Sequence, residues 1–338
     1  MSSVADNRMR WSREPGRYEV WFLTASHRAS RSGFWIRHTL SAPTQDRGLP
    51  PYCQLWFACF DGGDPGRSFA VNRKLPIDSL HAEPDPLVIG VGDAELRHGA
   101  LHGAIEGHGH AAEWDLGFEP EDRTVLLFPD WAYASERVST KFLSPHFSVP
   151  LRGRIKADGR EYVFDGDRAT QCHIWGNKHA HAWGWGHVCG FAEDGETALD
   201  VLSVRLKKGP IVLPRLTLAT LRHRGTVTRF SQPLSLMAGQ GEWGTGFFRF
   251  AAATPTLRVR GEFTASPDDM VVAEYTDPDG EAAFCHNTEV ASLTMTIESR
   301  TWLSGWRDEA RLTAPRSAHF EHAARTPDAS IRRRHRTA

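Results

Sequence analysis

The sequence lacks the usual marks of a bound cofactor or a membrane span. Its five cysteines (Cys53, Cys59, Cys172, Cys189, Cys285) are odd in number and none forms a C-x-x-C pair. Both facts argue against a disulfide framework and a cysteine-rich zinc site. No stretch approaches the roughly 18–20 apolar residues that a membrane-spanning helix needs. There is no G-x-x-x-x-G-K-[ST], no G-x-G-x-x-G at a strand–helix junction and no G-x-S-x-G. Nucleotide cofactors and an elbow-type serine nucleophile therefore have no support. Net charge is missing too: 40 Lys+Arg against 41 Asp+Glu leaves −1 over 338 residues, where a dedicated nucleic-acid protein would show a basic domain. The opening residues, MSSVADNRMRWSREPGR, contain no apolar stretch of a secretory signal. The expectation is a cytoplasmic protein with free thiols, no integral membrane segment and no nucleic-acid partner.

Helical periodicity is also scarce. Alternation and β-branched or aromatic runs recur instead between Gly, Pro and Asp turns, and they predict strands. Examples are Tyr18–Thr24, Gly33–Leu40, Gln54–Phe60, Thr124–Phe128, Phe147–Ile155, Leu199–Lys207, Ile211–Leu221 and Ser292–Ser299. Asp158-Gly159, Asp194-Gly195 and Asp277-Pro-Asp-Gly280 mark turns. Short, regular strands of this kind predict closed barrels or sandwiches. One late helix is expected around Ser317–Ala324, followed by a basic, disordered tail over 324–338. A faint repeat pairs Pro150-Leu-Arg-Gly153, leading to Cys172-His173, with Arg258-Val-Arg-Gly261, leading to Cys285-His286. It suggests two similar β units, divided after residue 192.

Two counts are unusual: 12 Trp and 17 His. Eight of the histidines fall in two windows, 98–110 and 173–187. The first (His98, His102, His108, His110) is rich in Gly and Ala and reads as loop and barrel edge. The second runs Cys172-His-Ile-Trp-Gly-Asn-Lys-His-Ala-His-Ala-Trp-Gly-Trp-Gly-His187. A strand places alternate residues on one face, so His181, Trp183, Trp185 and His187 share a face and leave Ala and Gly on the other. Gly176-Asn177-Lys178 reads as a turn, so the facing of His173 and Trp175 depends on register. Large rings with polar tips suit the wall of an apolar cavity. His179-x-His181 and His108-x-His110 also have spacings compatible with metal ligands, although neither continues into a carboxylate-completed motif. Glu19, beside Trp21, and Glu289, after Cys285-His-Asn-Thr, are candidate pocket carboxylates.

Several segments together resemble the two-lipocalin-domain superfamily of carotenoid 1,2-hydratase, tocopherol cyclase, kievitone hydratase, AttH-like proteins and fungal Diels–Alderases. The carriers are Tyr18-Glu-Val-Trp-Phe-Leu-Thr with Gly33-Phe-Trp-Ile-Arg-His-Thr-Leu, Trp114-Asp-Leu, His173-x-Trp175-Gly176 with Trp183-x-Trp185, and Asp279-Gly280 leading to Cys285-His-Asn-Thr-Glu289. The resemblance covers about residues 10–322. It implies an all-β chain of two lipocalin-like antiparallel barrels with few short helices, residues 1–192 and 193–323. It further implies a ligand pocket within or between them, and proton-transfer chemistry without metal or redox cofactor. AttH-like members often carry Asp-His-x-Trp-Gly, and Cys172 stands here at the Asp position.

The function expected is a cofactor-free hydratase or cyclase acting on an apolar isoprenoid- or polyketide-like substrate. His173, His187, Glu19 and Glu289 are the expected proton-transfer residues; Trp21, Trp175, His181, Trp183, Trp185 and Asn287 are the expected substrate contacts. Alkene protonation makes a carbocation, which indole faces stabilise where water is excluded. A buried Glu would supply the proton. Two alternatives stand beside it: a non-catalytic carrier of a hydrophobic small molecule, and a metal-dependent β-barrel enzyme using His179, His181 and a further His.

Overall fold

The computed structural model describes residues 3–301 and 303–337. Almost every segment is a strand, as the alternation requires. The first unit contains β1 (Arg17–His27), β2 (Ser32–Ala42), β3 (Tyr52–Phe60), β4 (Phe69–Pro76), β5 (Leu80–Pro84), β6 (Leu87–Val91), β7 (Ala94–Arg97), β8 (Ala100–Gly107), β9 (His110–Phe118), β10 (Val125–Leu126), β11 (Thr140–Ala157) and β12 (Arg160–Gly176). The second contains β13 (Ala182–Val188), β14 (Ala198–Arg205), β15 (Lys207–Lys208), β16 (Ile211–Val212), β17 (Leu216–His223), β18 (Thr226–Arg229), β19 (Gln240–Gly244), β20 (Phe247–Ala253), β21 (Leu257–Thr264), β22 (Val271–Thr276), β23 (Ala282–Ser299) and β24 (Arg307–Ala324). Three short helices accompany them: α1 (Ser3–Asn7), α2 (Asp130–Ala134) and α3 (Pro233–Ala238). None is long and apolar enough to cross a membrane.

Each unit is one antiparallel sheet curled into a lipocalin-like barrel. In the first the order runs β4-β3-β2-β1-β12-β11-β9-β8-β7-β6-β5; in the second it runs β18-β17-β14-β13-β24-β23-β21-β20-β19, with β22 also on β23. The turn from β11 to β12 is Asp158-Gly159, both at positive φ (46° and 77°), the left-handed pair that a two-residue hairpin needs.

Alternation along these strands creates three compartments rather than two. Trp21, Leu23, Phe34, Ile36, Phe57 and Leu151 fill the first barrel. Leu199, Val201, Phe248, Phe263, Met295 and Phe320 fill the second. The residues between them in sequence, including Val20, Phe22, Trp35, Trp56, Cys172, Trp183, Trp185, Tyr275, Cys285 and Ala323, form a third core where the outer walls of the barrels meet. This seam is packed closely enough that Gly33 of β2 lies against Glu289 of β23, and a Cβ at Gly33 would overlap the Glu289 Cβ. Both cysteines of the faint repeat face it.

Several expectations need correction. Ser317–Ala324 is not a helix but the end of β24; its Phe320 and Ala318 fill the second barrel while Ala323 faces the seam. Alternation with a period of two is the reason, and a short Ala- and His-containing run hides it. The expected strand Ile211–Leu221 breaks between β16 and β17, around Pro214, which has no N–H for a ladder. Leu199–Lys207 breaks at Leu206, and Thr124–Phe128 shrinks to two residues. The Gly/Ala-rich 98–118 region is two paired strands, with His108 at positive φ in their turn. The chain crosses from the first sheet to the second at 177–181, ahead of the division expected at 192. The basic tail runs along the seam: Arg333–Arg334 pairs with β22, and Arg336–Thr337 pairs with β4.

Candidate active site at the seam between the barrels

The His/Trp segment is split by the crossing at 177–181. Upstream, β12 pairs with β1 so that Trp21 lies opposite His173 and Glu19 opposite Trp175, all on the inside of the first barrel. His173 Nε2 is 2.8 Å from Glu19 Oε1 and its Nδ1 is 2.9 Å from the Asp6 carbonyl. Glu19 also accepts from the backbone N–H of Arg10 and Trp11 at 2.8 and 2.9 Å. The Trp21 indole donates to the Asn7 carbonyl at 2.9 Å and stacks on His173 at 4.9 Å. The N-terminal segment thus plugs the barrel and uses up the polar groups of Glu19, Trp21 and His173. Trp175 lies at the rim beneath the Arg10 guanidinium, 4.5 Å from its ring.

Downstream, the odd residues of β13 face out of the second barrel. Gly184 and Gly186 face in, where a Cβ would meet Trp243 and Phe263. The bare side of the strand lets those rings pack against its backbone and projects Trp183, Trp185 and His187 into the seam. His181, half-buried at the start of this face, does not border the cavity. Cross-strand pairing then sets the chemistry: Trp185 lies opposite Glu321, and His187 opposite both His319 and Asp200. On β23 a bulge between Thr288 and Ala291 brings Glu289 into the seam before the strand resumes with Leu293 and Met295 pointing into the barrel.

The result is a buried relay. His319 Nδ1 is 2.7 Å from Glu289 Oε1, and its Nε2 is 3.6 Å from Glu321 Oε2, an ion-pair rather than a hydrogen-bond distance. Glu321 accepts from the Trp183 indole at 2.6 Å. Behind them Asp200 accepts from the Trp185 indole, and Trp185 packs on His319 at 4.2 Å. Burial opposes charge on His319, but the two carboxylates outweigh it and raise its pKa to about 10. Burial pushes Glu321 up, yet His319 and the Trp183 N–H hold it below the usual carboxylate range. Glu289, where burial wins, is raised. Asp200 is raised to about 7 by burial, against the opposing Trp185 N–H and His319 charge. His187 is neutral: burial, with the cations His319 and Arg222, lowers it to about 3. Its two ring nitrogens and both amide atoms of the buried Asn287 have no partner among the described residues.

A cavity of about 280 Å³ opens beside this relay. Val20, Phe22, Trp35, Phe142, Trp183, Trp185, Leu218 and Tyr275 form its walls, and Trp131 and Leu206 border it from exposed positions. Glu321 is the one carboxylate lining it among the described residues. His179 lines it too; its Nδ1 is 2.6 Å from Asp277 Oδ1, and its ring stacks near Tyr18 (4.4 Å) and Trp183 (5.7 Å). Asp277 is pushed up by burial but pulled below its ordinary value by His179 and Arg325. Among the described residues, the one group of three donors close enough to share a metal ion is Asp277, Asp279 and Glu281. It excludes His179 and His181, and Lys178 already pairs with Asp279 and Glu281 at 2.6 Å.

Of the ten residues selected from sequence, then, Trp183, Trp185, His187, Asn287 and Glu289 gather in the seam, with Trp183 and Trp185 on the cavity wall. Glu19, Trp21, His173 and Trp175 belong to the first barrel. His319, Glu321, Asp200 and Asp277 were not selected. The first two lie in the run read as a helix, where i and i+2 do not share a face; as a strand, Ser-Ala-His-Phe-Glu-His shows the alternation directly.

Fold and seam define a two-barrel protein with an apolar pocket where its outer walls meet. No protein-family model matches the chain. Two uncharacterised Mycobacterium tuberculosis proteins, MT0513 of strain CDC 1551 and Rv0493c of strain H37Rv, are each 25% identical over 296 residues, or 87% of this chain and 85% of theirs. The AttH-like protein NE1406 from Nitrosomonas europaea is similar in structure with a TM-score of 0.56 at 12% identity, over 94% of this chain and 93% of that one. CghA, solved with Sch210972, gives 0.50 at 8% identity over 91% and 88%. Kievitone hydratase from Nectria haematococca gives 0.49 at 8% over 90% and 88%. The likeness to the first two establishes the fold.

Proposed function

We propose that this chain is an acid–base enzyme of the hydratase or cyclase kind, acting on an apolar isoprenoid- or polyketide-like small molecule in the seam cavity. One observation carries the reading: a lone carboxylate, Glu321, on the wall of an apolar cavity, backed by a buried His319–Glu289 pair that can supply and recover a proton. The sequence resemblance to hydratases and cyclases supports it, and CghA, of similar fold, is solved with a small molecule, Sch210972.

In this reading the resting relay holds Glu289 and Glu321 as carboxylates on either side of a protonated His319. The His319 ring closes the 3.6 Å gap to Glu321 Oε2 and passes its proton to Glu321, which delivers it to an alkene carbon; the π electrons form the new C–H bond. Positive charge appears on the neighbouring carbon, beside the faces of Trp183, Trp185 and Tyr275, whose quadrupoles stabilise a cation most where water is absent. Water, a phenol or a second double bond then attacks it. The proton lost in that step returns to Glu321 or is taken by His179, which Asp277 orients. Proton transfer thus falls to His319 and Glu321, with Glu289 holding the His319 charge, rather than to Glu19 and His173, whose polar groups the N-terminal segment satisfies.

Native mass spectrometry of protein from its own host, before and after incubation with the apolar metabolites of that host, tests the reading against a carrier. A bound molecule that gains one water or isomerises supports it. A stoichiometric ligand recovered unchanged supports the carrier.

A further inference from the structure

Arg37 projects from β2 into the seam and borders the same cavity from the side of the first barrel. It is 5% exposed, and no carboxylate lies within ion-pair distance of it among the described residues. Its guanidinium lies over Tyr275, 4.4 Å from the ring, and 5.4 Å from both Trp35 and Trp56. The Nε–H has no acceptor. Aromatic faces attract a guanidinium but accept none of its five N–H bonds. A buried charge without a counter-ion is costly, and such charges are ordinarily paired. Most other arginines that are largely buried have acceptors: Arg316 makes two bonds to Asp269, and Arg325 reaches Asp277 and three carbonyls.

Arg37 also borders a second cavity of about 350 Å³, lined by polar residues that include Thr39, Gln54, Asn72 and Lys74. It therefore stands at the border between the apolar chamber that Glu321 lines and a polar chamber that holds both a second cation, Lys74, and a carboxylate, Glu274. Two histidines line the polar chamber: His179, which also borders the apolar one, bonds Asp277, and His335 packs on Trp35 and Trp56. Burial and the Arg37 charge lower it to about 3, so it adds no charge.

We infer that Arg37 is the head-group site for an amphipathic acid, whose carboxylate or enolate pairs with the guanidinium while its apolar body fills the chamber leading to Glu321. This inference rests on the proposed function above and specifies its substrate class. It also gives the substrate an orientation, since the negative Glu321 repels the anionic end that Arg37 attracts.

The test is equilibrium binding without turnover, so its outcome is separable from that of the catalytic reading. N-phenyl-1-naphthylamine fluorescence reports occupancy of the apolar chamber, and decanoate and 1-decanol are the competitors. In the wild-type protein decanoate displaces the dye; in Arg37→Met its affinity falls about tenfold (about 1.4 kcal/mol) while that of 1-decanol stays within twofold. Arg37→Lys, which keeps the charge, recovers part of the loss. Thermal melting separates ligand binding from a structural role: Arg37→Met keeps or raises the Tm of the free protein, because it removes an unpaired buried charge. Equal weakening of both competitors, no weakening of either, or a Tm loss in Arg37→Met that Arg37→Lys restores would each overturn the head-group site. These results would leave the proton relay untouched. Failure of the dye to bind the wild-type protein would overturn the cavity reading and this inference with it.

Discussion

His319 and Glu289 face each other across the β23–β24 ladder, 2.7 Å apart and both almost wholly buried. The strand bulge that carries Glu289 into the seam makes this contact possible, and it sets the charge state of the whole relay. Because the folded-state pKa of His319 is raised from 6.5 to about 10, its contribution to stability is complete below about pH 6.5 and is lost as the pH rises towards 10. Glu289→Gln removes the main source of that shift. Melting curves from pH 6 to 10 should show a decline in wild-type stability that is shallower in Glu289→Gln; identical slopes would place the His319 proton elsewhere.

Asp200 carries the opposite lesson. Its raised value, about 7 against 3.8, means that ionising it in the fold is unfavourable, so the Asp200 contribution to stability falls between about pH 4 and 7 and is level above. Asp200→Asn keeps an acceptor for the Trp185 indole and removes the charge. Its Tm gain over wild type should be small at pH 4 and reach several degrees at pH 8.

Gly33 tests the seam as a packed surface. A Cβ there would overlap the Glu289 Cβ and lie 2.7 Å from its carbonyl oxygen. Backbone cannot move aside as a flexible side chain can, so Gly33→Ala should cost about 1–3 kcal/mol, read by denaturant titration. It should also weaken dye binding in the cavity, since the barrels must part slightly.

Much of this architecture is legible in the sequence, though unevenly. The scarcity of helical period and the Asp-Gly turns give the all-β class, and the alternation from 181 to 187 identifies a face whose Trp183, Trp185 and His187 are buried where the barrels meet, while His181 is half-buried. What is not legible is which compartment a face belongs to. His173 and Trp185 are both odd-numbered and 12 residues apart, yet one points into the first barrel and the other out of the second, because the chain changes sheets between them. The position of Glu321 is hidden for a different reason: an Ala-rich run of eight residues fits a helical turn as well as a strand, and only the partner strand β23 decides between them.

Glu19 supplies a control for these assignments. It accepts from the backbone N–H groups of Arg10 and Trp11 and lies 2.8 Å from His173 Nε2, so Glu19→Gln should release the N-terminal plug. Faster hydrogen exchange at the Arg10 and Trp11 amides, with turnover at the seam retained, is the expected result. Loss of turnover with unchanged exchange would return catalysis to the first barrel.

In the proposed chemistry Glu321 moves a proton to or from carbon. Wild-type protein and Glu321→Gln, whose amide keeps an acceptor for the Trp183 indole, are incubated in D₂O with apolar metabolites extracted from the host. Mass spectrometry then follows deuterium at carbon. The expected result is a metabolite that gains deuterium with wild type and not with the variant. Equal incorporation by both proteins, or a bound ligand recovered from wild type without deuterium, would contradict it.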